Sequence, residues 1–164
     1  MLLSVPSGTQ SHDYDCGAKC LHLVMQYHNV EVPYPALLSR VHGCQEYGLS
    51  ISKIKSLARS FGFQARSAVN FSIDALEERI NRHQPVIVLI QAWAHKNLSA
   101  NDWKKVGKGS RDYGHYAIVM GYDDDFIVLR DPNVPRQVWM RKEEFMARWH
   151  GGDDQGCAII LEKK

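Results

Sequence analysis

The sequence predicts an α+β domain in which N-terminal helices, one of them central and buried, pack on a C-terminal antiparallel sheet. Three observations lead there. The helical segment from Cys16 to about Asn29 carries Lys19, His22, Gln26 and Asn29 at spacings of three, four and three, and everything else from Cys16 to Tyr27 is small or apolar. One narrow polar stripe at a period of 3.6 marks a helix buried over most of its circumference. The last third of the chain alternates short β-rich runs with turn residues, Asp123-Asp124-Asp125 and Asp131-Pro132-Asn133, the pattern of a meandering sheet. Finally, 164 residues with 45% hydrophobic content suffice for a core that needs no disulfide or metal staple. The expectation is one domain over residues 1–164.

The elements follow in order. Asp15 and Cys16 open the buried helix. Pro35 to Val41 reads as a short helix with proline in its first turn. Ser50 to Phe61 puts Ile51, Ile54, Leu57, Ala58 and Phe61 on one face, and Gly62 stops it. Phe63 to Val69 reads as a strand. Ser72 is an N-cap for a helix carrying Ile73, Leu76 and Ile80. Pro85 to Gln91 is a buried strand. The polar stretch Ala92–Gly114 is too long for an ordinary connection and is expected to be a functional loop or flap. His115 to Tyr122 and Phe126 to Arg130 form a hairpin, Gln137 to Met140 a further strand, Lys142 to Trp149 a short helix and Gly156 to Leu161 the last strand.

Composition excludes several classes. The longest apolar run, Val86–Ile90, is far short of the roughly 20 residues that span a bilayer, so no membrane insertion is expected. The opening MLLSVPSGTQ lacks the basic and long apolar regions of a secretory signal. A formal charge of +2 is too weak to make nucleic acid the partner. Four cysteines without a signal read as reduced thiols, hence a cytoplasmic location.

The chemistry centres on Cys16. A helix start offers unpaired N–H groups and partial positive charge, and both favour the thiolate, which is the nucleophilic form. Gly17 allows a close backbone approach. Gln10, upstream on a segment that must turn into the helix, can aim an amide N–H beside the sulfur, as an oxyanion hole requires. Taken alone, Cys16 reads more readily as a small buried residue. Its partners come from the hairpin. His115 follows Gly114 at the start of a strand, and Asp131 ends the partner strand, which the turn carries back towards His115. Pro132 keeps Asp131 extended. Such a carboxylate would hold one ring nitrogen and leave the other for Cys16, giving nucleophile, base and orienter.

These segments resemble a known family. Gln10-Ser-His-Asp-Tyr-Asp15-Cys16-Gly17-Ala18-Lys19-Cys20-Leu21, then Gly114-His115-Tyr116-Ala117-Ile118-Val119-Met120-Gly121-Tyr122-Asp123 and Leu129-Arg130-Asp131-Pro132, are similar to the bacteriocin-processing cysteine peptidases. These are papain-like enzymes that cleave leader peptides after a double glycine. The resemblance runs from about Gln10 to the final strand. It implies a papain-like fold, Cys16 as nucleophile, His115 as base, Asp131 as orienter and Gln10 as oxyanion donor. It also implies a peptide or protein substrate with a small-residue, Gly-Gly cleavage site. The stretch Ala92–Gly114 is longer than the family's usual connection, and a free-standing peptidase without an attached transporter is expected. The chain is therefore expected to be either a soluble processing peptidase or a delivered toxin, the latter with an inhibitor or immunity protein as partner. The rival readings are an acyltransferase or amidase using the same thioester, and a module that binds a leader without cutting it.

The remaining features take plainer readings. Cys16, Cys20 and His12 lack a second ligand pair, so no metal is expected, and no cofactor. Asp123-Asp124-Asp125 is a solvated turn. Gly151-Gly152-Asp153-Asp154 is a turn, with a self-cleavage site as the alternative. Cys44 and Cys157 are core residues. Trp93 and Trp103, among Lys104, Lys105, Lys108 and Arg111, are expected on a flap that binds substrate or partner, and Gly17 and Gly114 are expected to line the substrate cleft.

Overall fold

The computed structural model describes residues 1–41, 48–92, 98–106, 114–151 and 154–164. Helix α1 (Cys16–Tyr27) is the expected central helix, and Asn29 leaves it in the left-handed region, φ 57°, which Asn tolerates. α2 (Tyr34–Leu38) carries Pro35 in its first turn. The Ser50 side chain accepts the Lys53 N–H to start α3 (Ile51–Ser60), and Gly62, φ 88°, ends it without a Cβ penalty. Strand β1 (Phe63–Ala68) follows. The Ser72 side chain then accepts the Ala75 N–H at the start of α4 (Ile73–Asn81), as expected for an N-cap. β2 (Val86–Gln91) comes next.

Within the stretch expected to be a loop, residues 100–105 form a helix, α5 (Ala100–Lys105). Its start signal is a capping box: Ser99 takes the Asp102 N–H and the Asp102 carboxylate takes the Ser99 N–H. Two such reciprocal bonds support even a short helix. The chain continues through β3 (Gly114–Tyr122), β4 (Phe126–Arg130), β5 (Gln137–Arg141) and α6 (Lys142–Arg148). A small hairpin, β6 (His150–Gly151) with β7 (Asp154–Gln155), precedes β8 (Ala158–Lys163).

The main sheet runs β1-β8-β2-β3-β4-β5, and every neighbouring pair is antiparallel. Helix α1 packs on β3, α3 on β1, and α4 on β3 and β2. One buried cluster joins Leu21, Val24, Ile54, Leu76, Val86, Ile118 and Ile159 across these layers. The N-terminus lies along the end of β3 beyond the reach of β2: Leu3 N–H donates to Met120 O and Tyr122 N–H to Met1 O. A Cβ on Gly121 would lie 2.8 Å from Met1 O, so this approach needs glycine. Among the described residues no helix is long and apolar enough to cross a membrane.

Two features of β3 position the site. Its first residues pair with the end of β2, His115 opposite Ile90 and Gly114 opposite Gln91. Further along, the register with β4 slips between Val119 and Gly121, from Gly121↔Val128 to Val119↔Leu129. Met120 is the extra residue of a β-bulge, and a one-residue slip reverses which side chains share a face. With Ile118 opposite Arg130, Asp131 comes opposite Ala117 and so onto the face that Ala117 shares with His115. An unbulged hairpin would bring Asp131 opposite Ile118, on the other face.

Candidate active site

Cys16 is the first residue of α1 and is 9% exposed. The first bond of the helical ladder runs from Lys19 N–H to Asp15 O at 2.9 Å. The N–H groups of Cys16, Gly17 and Ala18 therefore head the helix ahead of that ladder.

His115 is 8% exposed and Asp131 1%. His115 Nε2 meets Asp131 Oδ1 at 2.7 Å, and the Cys16 side chain lies close enough to help raise the imidazole's pKa. With Nε2 taken by the carboxylate, Nδ1 is the nitrogen left for the sulfur. Asp131 Oδ1 accepts a second bond from the Asn133 N–H at 2.7 Å, which fixes the carboxylate just past the strand end. Burial alone would discharge the imidazole. The hydrogen bonds and negative charges of Asp131 and Cys16 outweigh it, and His115 is raised from 6.5 to about 9. At neutral pH it is an imidazolium.

Gln10 reaches this corner by its backbone, with its N–H donating to Pro132 O at 2.8 Å, beside Asp131. Its Nε2 donates to His12 O at 2.7 Å, and its Oε1 is buried without a partner. The structure thus brings Cys16, His115 and Asp131 together and ties Gln10 to the residue that follows Asp131.

The residues expected to bind substrate stand differently. Gly17 is buried, and a Cβ there would lie 2.9 Å from Ile54 Cδ1 and 3.1 Å from Tyr116 Cδ2. The close approach expected at Gly17 is thus made by α3 and β3, and the residue serves packing rather than an open cleft. Gly114 is exposed at the head of β3. Trp103 is 5% exposed, with the Arg148 guanidinium 4.2 Å from its ring centroid and its carbonyl accepting from His150 Nε2 at 2.7 Å. It anchors α5 to α6 instead of facing solvent. Arg148 Nε also donates to Gln91 O at 2.7 Å, linking that anchor to the strand end beside Gly114. Trp93, Lys108, Arg111, Cys44 and Gly152 lie outside the described residues. Cys20 and Cys157 are buried, and burial pushes both thiols up, Cys20 strongly. Among the described residues no three His, Cys, Asp or Glu side chains gather as metal ligands.

Two further residues shape the site beyond those expected from sequence. Asp15 opens the helix, and its carboxylate is fully buried and takes the N–H groups of Ser11 and His12. An Asp three and four residues after two polar loop residues was the available signal. Tyr116 presses its ring on Gly17 and donates its hydroxyl to Leu49 O at 2.9 Å. No local pattern announces that contact.

Helices facing an antiparallel sheet, with a cysteine at the head of the central helix and a histidine on the sheet, define a papain-like cysteine peptidase. The chain belongs to the peptidase C39 family, whose profile matches residues 4–162. Its fold is shared with several solved structures. A putative C39-like peptidase from Bacillus anthracis aligns over 100% of this chain and 97% of its own, at 19% identity and a TM-score of 0.74. The peptidase domain of Streptococcus ComA, a bi-functional ABC transporter, aligns over 98% and 99%, at 21% identity and 0.72. A double glycine motif protease from an AMS/PCAT transporter, solved with its leader peptide, aligns over 99% and 94%, at 18% identity and 0.71. No curated protein matches the chain.

Proposed function

We propose that residues 1–164 act as one cytoplasmic peptidase domain that cleaves a peptide after Gly-Gly through Cys16, His115 and Asp131. The observation that carries this reading is the position of His115, bonded to Asp131 at 2.7 Å and close enough to Cys16 to be raised by it. The Cys16 thiolate attacks the scissile carbonyl. The oxygen's developing charge falls to the second Gln10 Nε2–H and the Cys16 backbone N–H. His115 gives its proton to the leaving amine, which departs with the C–N electrons and leaves a thioester on Cys16. His115, now neutral, takes a proton from water as it attacks, and collapse releases the acid and the Cys16 thiolate, restoring the starting pair.

Gly-Gly specificity and a leader-like substrate rest on the likeness to the double glycine motif protease solved with its leader peptide and on the shared family. An inhibitor or immunity partner finds no support there. The test is to map new N-termini in a peptide library treated with wild type or with Cys16→Ala. Cuts after Gly-Gly by wild type alone are expected. Cuts after unrelated residues would overturn the specificity, and cutting by Cys16→Ala would overturn the nucleophile.

A further inference from the structure

Behind the Gln10–Asp15 loop lies a chain of contacts that the hydrolytic steps do not use. Asp15 is 0% exposed, yet its carboxylate makes no helix-capping bond. Oδ1 accepts the His12 N–H at 2.8 Å and Oδ2 the Ser11 N–H at 2.9 Å, folding the loop onto its own end. A further donor comes from a different element. The hydroxyl of Tyr34, the first residue of α2, reaches Asp15 Oδ2 at 2.6 Å. A buried carboxylate needs such donors, because an unpaired charge away from water is costly. Burial first, and then the bond to Asp15, push the Tyr34 phenol far up, so it keeps its proton and remains a donor.

The Tyr34 ring is itself held by α1. Lys19 Nζ stands 4.1 Å from its centroid and the His22 ring 5.1 Å away. His22 Nε2 is in turn 2.8 Å from the carbonyl of Val32, so the residues leading into α2 are pinned to α1. Lys19 and His22, two members of the polar stripe read from the sequence, are buried under Tyr34 instead of facing water.

His12 connects this lock to the site. Its N–H is on Asp15 and its carbonyl takes the Gln10 amide at 2.7 Å. Any shift of the Asp15 carboxylate reaches the Gln10 carboxamide through one residue. We propose that Tyr34 is a positioning residue for the oxyanion hole: its hydroxyl, through Asp15 and His12, fixes where the Gln10 carboxamide stands. The proposal rests on the donor role given to Gln10 above.

Tyr34→Phe removes one oxygen and leaves the ring against Lys19 and His22. With a short Gly-Gly peptide, kcat should fall about tenfold at unchanged KM, a part of the roughly 100- to 1,000-fold that losing an oxyanion donor outright costs. A peptide aldehyde binds as a hemithioacetal that places its oxygen in the hole, and its affinity should fall by the same factor. Iodoacetamide alkylates Cys16 without forming an oxyanion, and its rate should not change. In a Gln10→Ala background, Tyr34→Phe should cost nothing further. Wild-type kcat and aldehyde affinity in Tyr34→Phe would overturn the proposal, as would an undiminished loss in the Gln10→Ala background. Slower alkylation with a lowered melting temperature would also overturn it, since that is general loosening of α1. Failure of the peptidase reading would show separately, as turnover that survives Cys16→Ala.

Discussion

Replacing Asp131 by Asn separates the charge of this residue from its geometry. Both hydrogen bonds it receives, from His115 Nε2 and from the Asn133 N–H, end on the same oxygen, Oδ1, at 2.7 Å each. An Asn whose carbonyl oxygen takes that place keeps both bonds and loses only the negative charge. In the wild type the imidazole is carried from 6.5 to about 9 against its own burial. That rise corresponds to about 3 kcal/mol in favour of the imidazolium. Asp131 supplies part of it, and Cys16 the rest. Without the carboxylate charge, burial regains weight and the imidazolium should lose its proton about one to two pH units lower. The assay is the pH dependence of kcat/KM on a Gly-Gly peptide. The wild-type alkaline limb should fall near pH 9, and the Asn variant's limb should lie below it, with an unchanged circular dichroism spectrum. Asp131→Ala, which removes both bonds as well, should lose about 100-fold or more, the scale of a misplaced general base. An Asn variant whose alkaline limb stays at the wild-type position would refute the claim that Asp131 holds His115 charged.

Stability follows the same group. A raised folded-state value stabilises below the unfolded 6.5 and is lost as pH rises through about 9, so wild-type melting temperature should decline across that window and Asp131→Asn should flatten the decline. Gly17→Ala puts a Cβ 2.9 Å from Ile54 Cδ1 and 3.1 Å from Tyr116 Cδ2; thermal denaturation should register about 1–3 kcal/mol of overpacking, and no loss would mean that α3 yields freely. Gln10→Ala should lower kcat about 100- to 1,000-fold with little change in KM, whereas a raised KM alone would make Gln10 a substrate-binding residue. Trp103→Ala removes the ring under Arg148. Hydrogen exchange should show residues 100–105 opening after a loss of about 3 kcal/mol, while short-peptide hydrolysis stays near wild type.

The buried helix, the capped α4 and the strand order of the hairpin were legible because each rests on local pattern: a 3.6 period, a serine before an apolar run, a turn between β-branched runs. Cys16, His115 and Asp131 were legible as candidates because hairpin pairing relates distant residues by simple counting. That counting did not include the bulge at Met120, and the side of the sheet on which Asp131 falls depends on it. Helix α5 was missed because a long polar stretch outweighed the Ser99 and Asp102 pair. The burial of Trp103 and the packing role of Gly17 depend on Arg148, Ile54 and Tyr116, which lie far away in sequence. Tyr34 of α2 covers Lys19 and His22 of the polar stripe, and no period in α1 records that.

The central claim is that the Cys16 sulfur carries the acyl group of the cleaved peptide. Acid-quenched intact-mass spectrometry of the wild type turning over a Gly-Gly peptide measures it directly. An adduct with the mass of the N-terminal product less one water is expected, located on Cys16 by fragmentation, released by hydroxylamine, and missing from Cys16→Ala, which does not turn over. Hydrolysis at the wild-type rate by Cys16→Ala, or an adduct located on Cys20 or Cys157, would contradict it.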